Sequence, residues 1–140
     1  MSSAQRALAL YLWLVMAGLL LQGAGSLLLD GRPDLVPAFP SLMATAMNGN
    51  PPHAILHIVW GAFGLTVLAL FRTPAARVRL GFAFGLFYTA LGFLGIAVHH
   101  PFGMRLELQE NAFHLTVGPL MLLLTWLAWR RRPEPRAAVV

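Results

Sequence analysis

Four apolar stretches, each close to twenty residues long, constrain this chain more than any other feature. They cover residues 8–29, 53–71, 80–98 and 111–129. About 20 apolar residues in a helix cross the ~30 Å hydrocarbon core of a bilayer. The composition agrees: 58% of residues are hydrophobic and 11% charged, against about 25% charged in soluble domains. A soluble chain of 140 residues could not bury that much apolar surface. The expectation is an all-α integral membrane protein, a four-transmembrane-helix bundle forming a single domain over residues 1–140. The first stretch is too long for the ~7–15-residue core of a signal peptide and reads as a retained span.

Arginine placement sets the expected orientation. The chain has ten arginines and no lysine; Arg6, Arg72, Arg77, Arg79, Arg130, Arg131, Arg132 and Arg136 flank one side of the spans, and only Arg32 and Arg105 the other. Basic residues stay on the cytoplasmic side. Both termini are therefore expected in the cytoplasm and residues 30–52 and 99–109 outside, in a bacterial inner membrane. The formal net charge of +5 comes from short clusters between apolar runs, which suits a membrane surface rather than nucleic acid. The absence of cysteine excludes disulfides and thiolate metal sites. In the Pro- and Gly-rich 30–52 loop, Ser41 to Met47 reads as a short surface helix.

Small residues mark helix contacts. Gly81 and Gly85 form a G-x-x-x-G step, and Gly61 and Gly118 sit in the second and fourth spans. Such positions let backbones approach where lipid supplies no hydrophobic drive. Gly118-Pro119 is expected to kink span four.

All five histidines, His53, His57, His99, His100 and His114, fall at one end of the expected bundle. His57-Ile-Val-Trp-Gly61 and His114-Leu-Thr-Val-Gly118 repeat an H-x-x-x-G pattern on two helices of the same direction, implying two pseudo-repeated hairpins. Each of those histidines lies about one turn inside the membrane boundary, with His53 one turn above His57. The repeat aligns Glu110 with His53. Three imidazoles with a carboxylate suit a transition metal, and His57 with His114 could instead be axial ligands of a haem. His53, His57 and His114 are the candidate ligands; Glu110, His99 and His100 are additional ligands or groups supporting them. Histidines used only for packing or hydrogen bonding are the plainer reading. Met43, Met47 and Met104 on the same side would suit copper, although methionine at such spacing is usually apolar filling.

Absences narrow the function. There is no phosphate-binding loop and no nucleophilic triad order. No span carries a charge at its centre, which argues against ion pumps and carriers of charged substrates. The E-x-x-x-H spacing departs from the E-x-x-H of di-iron bundles.

Two segments resemble a bacterial family of small four-span membrane proteins of unknown function. Asn50-Pro51-Pro52-His53-Ala54-Ile55-Leu56-His57-Ile58-Val59-Trp60-Gly61 is similar to that family's N-P-x-H-x-x-x-H-x-x-x-G at the start of helix two. Glu110-Asn111-Ala112-Phe113-His114-Leu115-Thr116-Val117-Gly118 is similar to its D-N-x-x-H-L-x-x-G at the start of helix four. Ala76-Arg77 and Tyr88 fall where the family has an A-R turn and a tyrosine. The likeness covers most of residues 50–125, with Glu110 in place of aspartate and Pro119 after the glycine as departures. It implies a four-helix fold and adds weight to His53, His57 and His114, but implies no activity.

The leading functional expectation is a non-catalytic accessory or assembly subunit of a larger envelope complex, with the lipid bilayer and other membrane subunits or further copies of the chain as partners. The rival is a metal- or haem-binding membrane protein using the histidine cluster. A small transporter comes third.

Overall fold

The computed structural model describes residues 1–38 and 51–130. It contains four long helices: α1 Ser3–Gly31, α2 Pro51–Leu70, α3 Pro74–Val98 and α4 Leu108–Arg130. At 29, 20, 25 and 23 residues they extend roughly 30–43 Å at 1.5 Å per residue. All four are long and apolar enough to cross a membrane. The fold is an all-α four-helix bundle. Short 3₁₀ turns, Pro33–Ala38 and Pro101–Gly103, follow α1 and α3. The expected surface helix around Ser41, together with Met43, Met47, Arg131, Arg132 and Arg136, lies outside the described residues.

All four helices start earlier than hydropathy alone suggests, by 5 residues for α1, 2 for α2, 6 for α3 and 3 for α4, comparing their first residues with 8, 53, 80 and 111. Polar caps are the reason in α1, α3 and α4. Ser2 Oγ accepts from Gln5 N–H at 3.3 Å while Ser2 N–H donates to Gln5 Oε1 at 3.0 Å, a reciprocal cap that satisfies two otherwise orphaned amides. Thr73 Oγ1 accepts from Ala76 N–H at 3.2 Å ahead of Pro74 at the first turn, where proline is favoured. Residues 74–79, ahead of the apolar run, therefore belong to α3, and Arg77 and Arg79 ride on its first turns. Before α4, Glu107 N–H donates to Glu110 Oε2 at 3.1 Å. α4 continues through Pro119 as a single helix.

The bundle is two hairpins. α1 packs most extensively on α2, and α3 on α4, while α2 and α3 meet sparingly. A methyl group on Gly61 would lie 2.6 Å from Leu20 N and 2.8 Å from Met16 O. One on Gly118 would lie 2.7 Å from Thr89 N and 3.1 Å from Gly85 O. In each case the glycine of the H-x-x-x-G pattern presses on an amide and on the carbonyl four residues earlier in the preceding helix. The repeat is thus present in packing as well as in sequence. Gly81 faces Thr125 and Gly85 faces Leu122, both on α4.

Leu8, Leu12, Met16, Leu68, Phe84, Tyr88 and Met121 form the core. Only 33–39% of each span is buried within the chain. The remaining faces are apolar, with Leu14, Leu21, Phe93 and Leu123 exposed. Such continuous apolar surface belongs against lipid. Arg130 stacks over Trp126, 4.5 Å from the ring centroid, as a cation does at a membrane interface.

Candidate functional site

The ends of α1 and α3 and the starts of α2 and α4 meet at one end of the bundle, and three histidines converge there. His53 and His57 lie one turn apart on the inward face of α2; His114 projects from α4. They are 3%, 3% and 0% exposed. His53 Nε2 and His114 Nε2 are 3.4 Å apart. One ring nitrogen from each of the three lies within 4.8 Å of the others. Ring centroids are separated by 4.3 Å for His53–His57, 5.4 Å for His53–His114 and 6.2 Å for His57–His114. Among the described residues this is the one group of three or more histidine or acidic side chains close enough to hold a metal ion.

The pairing differs in one respect from that expected. His57 and His114 were to share a depth with His53 above them, yet it is His53 that touches His114. The contact joins residues 61 apart in the chain on two different helices, and no local pattern encodes it.

Two further residues complete the cluster. His57 Nδ1 is hydrogen-bonded to Gln22 Oε1 of α1. An amide oxygen only accepts, so Nδ1 carries the proton and Nε2 keeps its lone pair for a ligand. His57 Nε2 has no hydrogen-bond partner. Tyr88 of α3 is fully buried, with its ring 5.1 Å from His114 and 6.1 Å from His57. Its hydroxyl and His114 Nδ1 are likewise unpartnered. A polar group buried without a partner costs roughly 1–3 kcal/mol, and several adjacent ones mark a place organised for something other than packing. Gln22 had a signal in the sequence: with Ser26 it makes a polar i, i+4 pair inside an otherwise apolar span, a pattern that in membranes marks contacts or sites. Tyr88 had no such signal apart from the family resemblance.

The remaining candidates lie elsewhere. His99 and His100 are exposed in the turn after α3, where His99 takes a φ of 39° and its carbonyl accepts from Leu106 N–H at 3.0 Å. They stand apart from the cluster because that turn folds back over Leu106 and directs them outward. Glu110 is half-buried and accepts from Glu107 N–H, the ordinary service of an acidic residue at a helix N-terminus. Met104 is buried with Leu91 and Leu106, as apolar filling.

A cavity of about 490 Å³ opens beside the cluster between α1, α2 and α4, with Gln22, His53, His57 and Glu110 at one end and Leu14, Val15 and Val117 along its walls. Comparison with protein-family models, with curated proteins and with solved structures found no match.

Proposed function

We propose that this protein is a metal-binding membrane protein in which His53, His57 and His114 hold one divalent transition-metal ion. The observation that carries this reading is the 3.4 Å between His53 Nε2 and His114 Nε2. Two ligands on a tetrahedral ion at ~2.0–2.1 Å lie ~3.3–3.4 Å apart. The third nitrogen, within 4.8 Å of the others, needs to close by at most about 1.4 Å (4.8 less 3.4), a side-chain adjustment. Gln22 supports His57 as supporting groups support metal-bound imidazoles, by holding the second ring nitrogen. Neutral imidazole donors suit zinc, copper, nickel or iron, and three protein ligands leave a fourth position for an exogenous donor. A haem between His57 and His114 fits poorly, because the His53 ring lies 4.3 Å and 5.4 Å from those two rings, in the path of a macrocycle.

The arginine distribution supports N-in, C-in insertion, which opens the site toward the outer side of a bacterial inner membrane. The resemblance of the two helix starts to the four-span family supports the same set of histidines. The test is elemental analysis with an absorption spectrum on protein purified in mild detergent without chelators. One ion per chain and no Soret band is the expected result, with the ion lost in His57→Ala and in His114→Ala. A Soret band would replace the ion by haem. Protein free of both would return the cluster to packing and favour the accessory-subunit role.

A further inference from the structure

The cavity beside the histidines has the shape of an amphiphile. It extends from Gln22 to Tyr11 along α1, roughly 16 Å at 1.5 Å per residue, and from Gln109 to Val117 along α4, roughly 12 Å. Its polar groups gather at the histidine end; below them the walls are apolar. Tyr11 closes the far end, its hydroxyl donating to Val117 carbonyl oxygen at 3.4 Å and tying α1 to α4. Above that bond the two helices are held chiefly by their own hairpin partners, which leaves the slot between them. At about 490 Å³ its volume falls within the ~300–1,000 Å³ typical of small-molecule sites.

Gly18 shows that the slot is built into the sequence. Gly23, Gly61, Gly64, Gly81, Gly85, Gly92, Gly95 and Gly118 all press against a neighbouring helix or loop, but a methyl group on Gly18, as on Gly31 at the end of α1 and Gly103 in the turn after α3, would meet nothing within 4 Å. Gly18 lines the cavity. Its missing side chain serves no helix contact; it widens the slot midway along its length.

We propose that this cavity binds a single-chain amphiphile with a carboxylate head, drawn laterally from the bilayer. The tail lies along α1 past Gly18 toward Tyr11, and the head meets the ion held by His53, His57 and His114; the inference rests on that metal reading. A tail gains little by leaving lipid for a protein cavity, because both are apolar. Selectivity must therefore come from the head, and a carboxylate oxygen is a ready fourth ligand for an ion bound by three imidazoles. The Glu110 carboxylate on the wall accepts an N–H bond from Glu107 of its own chain, and the cation offsets its charge.

The experiment uses the full chain in phosphatidylcholine nanodiscs, with tritiated palmitic acid as probe and metal content measured on the same samples. Metal-loaded wild-type protein should bind palmitate saturably, one per chain, despite the excess of two-chain lipid. Stripping the ion should weaken binding at least tenfold. Gly18→Phe should abolish it with metal stoichiometry unchanged and thermal stability not reduced, because its side chain enters open space. Absent or non-saturable binding to the loaded protein, binding indifferent to Gly18→Phe, or binding indifferent to metal each overturns the proposal. Metal without palmitate binding sinks this inference alone; protein that takes up no metal sinks the metal reading with it.

Discussion

Two glycines of this chain should respond oppositely to the same substitution. In Gly118→Ala the new methyl would sit 2.7 Å from Thr89 N and 3.1 Å from Gly85 O, whereas ordinary carbon contacts fall at ~3.5–4.0 Å. The Thr89 side chain cannot make room easily, since its hydroxyl donates to Gly85 carbonyl oxygen at 2.7 Å. α3 and α4 must therefore part by several tenths of an ångström, and overpacking of this kind costs about 1–3 kcal/mol. In Gly18→Ala the methyl meets nothing within 4 Å. Both variants gain the same ~1 kcal/mol of helix propensity, so their difference isolates the contact. Gly18→Ala should be slightly more stable than wild type, and Gly118→Ala less stable than Gly18→Ala by about 1–3 kcal/mol. Reversible unfolding in mixed detergent micelles measures both. His114 lies one turn from Gly118, so parting α3 and α4 should also displace its ring relative to His53 on α2 and lower metal affinity in Gly118→Ala only. Equal stabilities for the two variants would refute the close backbone approach on which the bundle and the site geometry rest.

Three further outcomes are expected. Replacing His57 and His114 by alanine, singly and together, should give strongly non-additive losses of metal and stability, because groups sharing one ligand couple by about 0.5–3 kcal/mol; additive losses would mean that each ring serves its own neighbour. Gln22→Leu should lower metal affinity about 10- to 100-fold with the fold retained, the usual effect of removing a group that orients a ligand, and an unaltered dissociation constant would leave Gln22 without that role. The chain has no cysteine, so cysteines placed at the exposed positions Phe102 and Arg79 report topology directly. An impermeant thiol reagent on whole cells should label position 102 and spare 79, while the reverse pattern would put the histidines at the cytoplasmic face.

Much of this architecture is written in one-dimensional patterns, because a bilayer forces backbone polar groups to be satisfied within helices. The four apolar runs, the glycines that admit close packing and the repeated H-x-x-x-G are properties of short segments read at helical period. His57 and His114 could be singled out because the pattern that places a glycine against the neighbouring helix also places the histidine one turn nearer the surface. The helix starts were less legible: the Ser2–Gln5 and Thr73–Ala76 caps depend on polar residues that hydropathy passes over. Three features belong to the tertiary structure alone. His53 rather than His57 meets His114 across 61 residues of chain, from α2 to α4. Gln22 reaches the cluster from α1 through His57 and Tyr88 reaches it from α3 beside His114. The slot beside Gly18 exists because α1 and α4 each pack on a different partner and leave space between them. All three depend on contacts between segments far apart in the chain, which no local periodicity records.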